Sequence, residues 1–285
     1  MNNILVTGAS GLLGSHVVKH LLTKECNVIV SILPEEKSTY QPLDGVEVII
    51  NDDIFQGKFP HISTVINCAF SRSNQSQDLA SAIDFTQKLI NGFKLGKVDS
   101  IINISSQGVY KRLPIGELSK EDSPIEPIDL YSMAKYAVEK TFATCGLPNV
   151  TNVRLASINM KQRFLYNFVQ KAKNKDTIIV NSPTHYASLL DVEDAAEALA
   201  RLAILPIENR KPIYNLGTGS QTSLIHFAEL VNAIGERFNA KAQIVLQDNG
   251  TTNTAGIDIS LISADCDWIP IITNEQMIDN YFLTD

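Results

Sequence analysis

Tyr131 and Lys135 stand four residues apart in the stretch DLYSMAKYAVEK, residues 129–140. On a helix that spacing puts both side chains on one face, a turn apart. A free tyrosine titrates at about pH 10, too high for proton exchange at neutral pH. An ammonium beside it favours the phenolate and brings that value down, which makes an acid–base couple. Such pairs also decorate ordinary helices, so the chemistry depends on what the rest of the chain builds around them.

A second candidate for chemistry lies at the N-terminus. The apolar run ILVT leads into TGASGLLG, with Gly8, Gly11 and Gly14 at intervals of three and a helical pattern beyond. Strand, glycine turn and helix in that order is the context a dinucleotide-binding turn needs. Gly8 permits the tight turn, Gly11 lets backbone approach a pyrophosphate, and Gly14 allows the helix to pack closely on the strand. The helix start then offers unpaired N–H groups and the positive end of its dipole to phosphate.

The elements that must position these groups alternate along the first half. Short apolar runs at 4–7, 27–33, 46–50, 63–69, 100–105 and 149–157 read as strands. Helical patterns at 12–22 and 81–94, and the helix carrying Tyr131, fall between them. The strands are nearly continuous apolar runs, as strands covered on both faces require. The pattern predicts an α/β fold with a doubly wound, Rossmann-like parallel sheet, whose ligands bind beyond the carboxyl ends of the strands. Helices are also expected near 162–173, 191–203 and 222–237. We expect a dinucleotide-binding unit over 1–157, joined by 186–216, and a smaller interleaved substrate lobe from 158–185 and 217–285.

Composition limits the partners. The 285 residues are 44% hydrophobic and 19% charged, ordinary for a chain with a substantial core. A net charge of −7, without a basic patch in sequence, argues against nucleic acid as a partner. No apolar run approaches a membrane span. The start MNNILVTGAS lacks the basic region and long hydrophobic stretch of a signal peptide, so a cytoplasmic protein is expected. Cys26, Cys68, Cys145 and Cys266 are widely spaced and read as reduced thiols. His16 and His20 have an i, i+4 spacing that could bind metal, but no third ligand is near in sequence, and no metal is expected.

T-G-x-x-G-x-x-G at this position resembles the extended short-chain dehydrogenase/reductase superfamily, the branch of NAD-dependent epimerases, dehydratases and reductases. The path VYKRLPIGELSKEDSPIEPIDLYSMAK into a Y-x-x-x-K helix, then DVEDAAEAL, YNLGTGSQTSL and DWIP, resemble later signatures of the same branch. The resemblance implies a nicotinamide cofactor, hydride transfer at a carbinol or ketone carbon, and a nucleotide sugar as substrate. It implies that Tyr131 exchanges the hydroxyl proton while Lys135 tunes it and holds the nicotinamide ribose. Ser106, four residues before Tyr110 in NISSQGVY, would orient the reacting oxygen, with Ser105 on the cofactor side. Cofactor contacts would also come from Ser10, Leu12 and Leu13 in the glycine turn, Asp53 (with Asp52 the neighbouring alternative) and Ile54 after the third strand, and Cys68 and Ala69 after the fourth. Homodimerisation through the Tyr131 helix and its predecessor is implied as well.

The chain departs from the branch at several positions. The second strand ends in Ser31, Ile32 and Leu33, where an acid would bind a ribose 2′-hydroxyl and a base a 2′-phosphate, so the choice between NAD and NADP stays open. Asp84 stands where an asparagine is usual near the cofactor, and Ala187 where nucleotide-sugar epimerases often carry an arginine. These departures keep two alternatives in view: a reductase of non-nucleotide carbonyl compounds, and a cofactor-binding regulatory subunit without turnover.

Overall fold

The computed structural model describes residues 2–71, 73–161, 163–182, 184–247 and 254–284. Six strands form in the first half: β1 (Asn2–Thr7), β2 (Cys26–Ile32), β3 (Val46–Ile50), β4 (Thr64–Asn67), β5 (Ile101–Ser106) and β6 (Val150–Leu155). With the strand Ile213–Leu216 they make one seven-stranded parallel sheet. Its order is 213–216, β6, β5, β4, β1, β2, β3.

Side-chain alternation explains the continuous apolar runs. Ile4 and Val6 enter one core while Leu5 enters the other; Val28, Val30 and Ile32 share the first, and Ile29 the second. Helices α1 (Leu12–Leu21) and α6 (Val192–Ile204) cover the first face. On the second lie α2 (Asn51–Phe55), α3 (Ser76–Leu95) and α4 (Leu130–Thr144). Each strand therefore needs apolar residues at consecutive positions, not at every second one. β3 departs from that expectation, with Val48 39% exposed, because it is the edge strand.

A buried row of polar side chains locks the register near the carboxyl ends. Thr7 Oγ1 donates to Asn67 Oδ1 at 2.7 Å, Asn67 Nδ2 to Asn103 Oδ1 at 3.0 Å, and Asn103 Nδ2 to Asn152 Oδ1 at 2.8 Å. These residues are register partners across β1, β4, β5 and β6. Each bond nets only about 1 kcal/mol, but slipping one strand by a residue would bury unpaired amides, which costs more. The row thus fixes the relative heights of the strand ends that carry the site.

A second core joins α5 (Phe164–Lys173), α7 (Leu224–Gly235) and α9 (Asn274–Thr284) with the paired strands Thr177–Val180 and Gln243–Leu246. Between them in sequence, α8 (Ser260–Cys266) was expected in this smaller lobe. It instead packs Ile262 and Cys266, followed by Trp268, into the first core, because its apolar side meets α6 and the strand Ile213–Leu216. No described helix is long and apolar enough to cross a membrane.

Candidate active site

The strand order reverses at β1, where the chain crosses from β3 to β4, and this opens a crevice at the carboxyl ends. The glycine turn sits there. Gly8 has φ +69°, and a Cβ on it would lie 2.8 Å from the Ala69 nitrogen. Gly11 N–H donates to Gly8 O at 3.0 Å, closing the turn. A Cβ on Gly14 would come within 2.2 Å of Gly8 O, so α1 can start this close only with glycine there. The helix begins without a side-chain cap or an acid in its first turn, which leaves its first N–H groups for an anion. Gly14→Ala is expected to push α1 off the turn and weaken dinucleotide binding by at least about tenfold, read by fluorescence titration. Wild-type affinity in a folded variant would refute that role.

Two cavities meet at Gly8 and Phe70. The first, about 270 Å³, is lined by Gly11, Leu12, Leu13, Gly14, Cys68, Ser105, Ser106, Gln107, Tyr131 and Lys135 among others. The second, about 390 Å³, lies beside the end of β2 and is lined by Ser10, Ser31, Leu33, Glu36, Asn51, Ala69, Asp78 and Phe85 among others. The expected residues of the glycine turn, the β4 end, the β5 end and α4 thus converge on one groove. Buried polar atoms with no hydrogen-bond partner occur in both halves: Ser105 Oγ and Gln107 Oε1 in the first, Ser31 Oγ and Asn51 Oδ1 in the second. Such atoms are costly without a partner, and together with the glycine cradle they fit an elongated ligand with polar groups at both ends.

Lys135 is 5% exposed, and its Nζ donates to Ile104 O at 2.8 Å. The ammonium also lies 4.0 Å from the centroid of the Phe70 ring and 6.0 Å from that of Tyr131. Phe70 and Tyr131 meet edge to face at 6.1 Å. The Ile104 carbonyl and the Phe70 ring face thus hold the buried ammonium beside the phenol. Phe70 borders both cavities, and sequence reasoning missed it; the only signal was its place just after β4. Cys68 shares the first cavity. Burial pushes its thiol up to about 12 against the opposing pull of Lys135, so it stays protonated as a wall of the site. Ser106 Oγ accepts the Gly108 N–H at 3.1 Å, which leaves its own hydroxyl proton to donate.

The helix bearing Tyr131 is fixed at two levels. Asp129 caps it by accepting the Ser132 N–H at 2.7 Å. Two turns beyond Tyr131, Glu139 meets Arg154 of β6 in a two-pronged pair, Nε to Oε1 at 3.1 Å and Nη2 to Oε2 at 2.9 Å. Both side chains are 4% exposed. The guanidinium also donates to Glu121 O and lies 4.7 Å from the Tyr110 ring centroid. Burial alone would lower the Arg154 pKa; the Glu139 carboxylate outweighs it and holds the group above its ordinary value.

Other expected contacts fall elsewhere. Asp53 and Ile54 border neither cavity. The segment NDDIF forms α2, and Asn51, its first residue, enters the second cavity with 4% exposure. At 100° per residue Asp53 is turned about 200° away, and Ile54 lies in the core under α3. Asp84 pairs with Lys88 at 2.8 Å on the exposed side of α3, while Asp78, Ser81, Ala82 and Phe85 face the cavity. His20 bridges Glu193 and Glu197 of α6 at 2.8 and 3.0 Å, and His16 lies 3.4 Å from Glu193, so these histidines join α1 to α6.

Residues 4–217 match the profile of the NAD dependent epimerase/dehydratase family. Among curated proteins, the chain is similar to a low-salt glycan biosynthesis protein of Haloferax volcanii, 24% identical over 82% of this chain and 83% of that one. It is also similar to the dTDP-4-dehydro-6-deoxy-D-allose reductase of Streptomyces bikiniensis, 25% identical over 81% and 80%. Among solved structures, UDP-N-acetylglucosamine 4-epimerase from Bacillus cereus superposes with a TM-score of 0.80 at 16% identity, covering 99% of both chains. At that identity the likeness is one of fold.

Proposed function

The chain belongs to the NAD dependent epimerase/dehydratase family, and on that premise we propose that it is an epimerase or reductase acting on a nucleotide sugar. The observation that carries the proposal is the continuous groove, with the glycine cradle between its halves and Tyr131 and Lys135 in one of them. In this reading the nucleotide end of NAD or NADP lies against Ser31 and Asn51, and the nicotinamide end against Cys68, Ser105 and Lys135. A nicotinamide held there would supply hydride transfer at a carbinol or ketone carbon. Tyr131 takes the hydroxyl proton as the carbinol is oxidised and returns it when the ketone is reduced. Lys135 stabilises the phenolate and holds the nicotinamide ribose. Ser106 donates its free proton to the reacting oxygen and keeps it within reach of Tyr131. The names of the relatives, which span a UDP-sugar epimerase and a dTDP-sugar reductase, support the substrate class. Pairing of α3 and α4 with a second copy, and a cytoplasmic location, belong to the same proposal.

One observation favours a second reading, a reductase of non-nucleotide carbonyls. Ala187, where an arginine would hold a diphosphate, borders a cavity of about 220 Å³ walled by Thr218, Ser220, Thr222, Thr273 and Asn274 among others. Among the described residues its lining includes Glu275 but no lysine or arginine. Thermal-shift screening with UDP-, dTDP- and GDP-hexoses and with small ketones, followed by product analysis, separates the two. A shift and turnover with at least one nucleotide sugar is expected. Response to ketones alone would select the second reading.

A further inference from the structure

We propose that Arg112, together with Gln107, selects a sugar that carries a carboxylate, so that the substrate is an acidic nucleotide sugar of the uronic acid type; this rests on the nucleotide-sugar reading above. Gln107 directly follows Ser106 and opens the single 3₁₀ turn Gln107–Val109. It lines the cavity that holds Ser106, Tyr131 and Lys135, and also a small niche bordered by Arg112, Gln221 and Thr254 among others. The side chain is 7% exposed, and its Oε1 is buried without a partner. In the same niche Arg112 Nε is likewise buried and unpartnered. An orphan carbonyl needs a donor, and an orphan guanidinium N–H needs an acceptor. A sugar acid supplies both: a ring hydroxyl for Gln107 and a carboxylate oxygen for Arg112, the second bond strengthened by charge. The niche measures about 10 Å³, room for a single water-sized group such as one oxygen reaching in.

Arg112 is placed to make such a bond. Its Nη1 donates to Thr254 O at 3.3 Å, and among the described residues it forms no ion pair. Burial lowers its pKa against the pull of Asp129, whose carboxylate caps α4 instead. Lys111 and Glu117 also border the niche, both exposed, and Lys111 lies 3.8 Å from Glu126. The walls are tied together: Ser119 N–H donates to Gly256 O at 3.1 Å, and Gln221 Nε2 to Glu117 O at 2.9 Å. The rival ligand for Arg112 is a diphosphate, since after burial its charge lowers the pKa of His185, two residues before Ala187. The cavity that Ala187 borders shares no described lining residue with the niche, whereas Gln107 belongs to the cavity of Tyr131. The group that reaches Arg112 is therefore one carried by the reacting sugar.

Calorimetric titration of the full chain, with NADH and NADPH present, compares UDP-glucuronic acid with UDP-glucose, which differ only at C6. Wild type is expected to bind the acid at least about tenfold more tightly, the size of one charge-assisted hydrogen bond. Arg112→Gln should shrink that ratio to about threefold or less by weakening the acid alone, with dinucleotide affinity unchanged. Arg112→Lys keeps the charge without the fork and should retain part of the preference. Lys111→Gln should leave the ratio unaltered. A purely structural role for Arg112 would weaken both sugars together, as would a contact with their shared diphosphate, and either result overturns the assignment. So does a wild type that binds UDP-glucose as tightly, or one that responds only to neutral hexoses of any nucleotide; the nucleotide-sugar reading then stands. Failure of every nucleotide sugar to bind, acidic or neutral, would overturn that reading and this inference together.

Discussion

Tyr131→Phe is expected to lower turnover by about 10²–10⁴-fold, the usual contribution of a positioned acid–base group, while leaving dinucleotide affinity nearly unchanged. The substitution removes one oxygen. It keeps the ring that meets Phe70 edge to face at 6.1 Å, so the wall of the cavity and the place of Lys135 should survive. Affinity comes largely from other groups, namely the glycine turn, the start of α1 and the polar lining of both cavities. The pairing of lost turnover with retained NADH binding is therefore the signature sought. Turnover near the wild-type rate would remove Tyr131 from the chemistry; loss of both would mean that the ring has a structural role instead.

Glu139→Ala should produce the largest loss of stability, about 3–5 kcal/mol by urea denaturation, because it strands the Arg154 charge inside the protein. The Glu121 carbonyl and the Tyr110 ring would remain as partners, but neither carries a compensating negative charge. Joint replacement of Glu139 and Arg154 by methionine should recover most of that loss, since a buried ion pair and an apolar pair of similar volume are often close in stability. The recovered variant should still turn over more slowly than wild type. The ion pair fastens α4 to β6 two turns beyond Tyr131, and a freer helix holds the phenol less well in the cavity it shares with Ser106. A single variant as stable as wild type would show that the pair contributes little.

Much of the scaffold was readable because its signals are local. Glycine spacing at residues 8, 11 and 14, apolar strands between helical patterns, and Tyr131 and Lys135 one turn apart all depend on neighbours a few positions away. Asp53 shows where such local reading stops, since it borders neither cavity. A search for an acid after the third strand cannot see that a helix starts at Asn51, and two residues of helical rotation turn the half-buried Asp53 away from the face that Asn51 presents to the cavity.

What the sequence by itself determined was the kind of fold, the glycine turn and the helix that carries Tyr131 and Lys135 one turn apart, since periodicity and turn chemistry encode these directly. The tertiary structure alone decided which polar residues face one another. Thr7, Asn67, Asn103 and Asn152 are separated by 60, 36 and 49 positions, yet they form one row because β1, β4, β5 and β6 are neighbours in the sheet. Phe70 against Lys135, and Glu139 against Arg154, follow from the same strand order. The opening stretch DLYSMAKYAVEK supplied a tyrosine and a lysine on one face; the sheet beneath it supplied the buried surroundings that make their spacing matter.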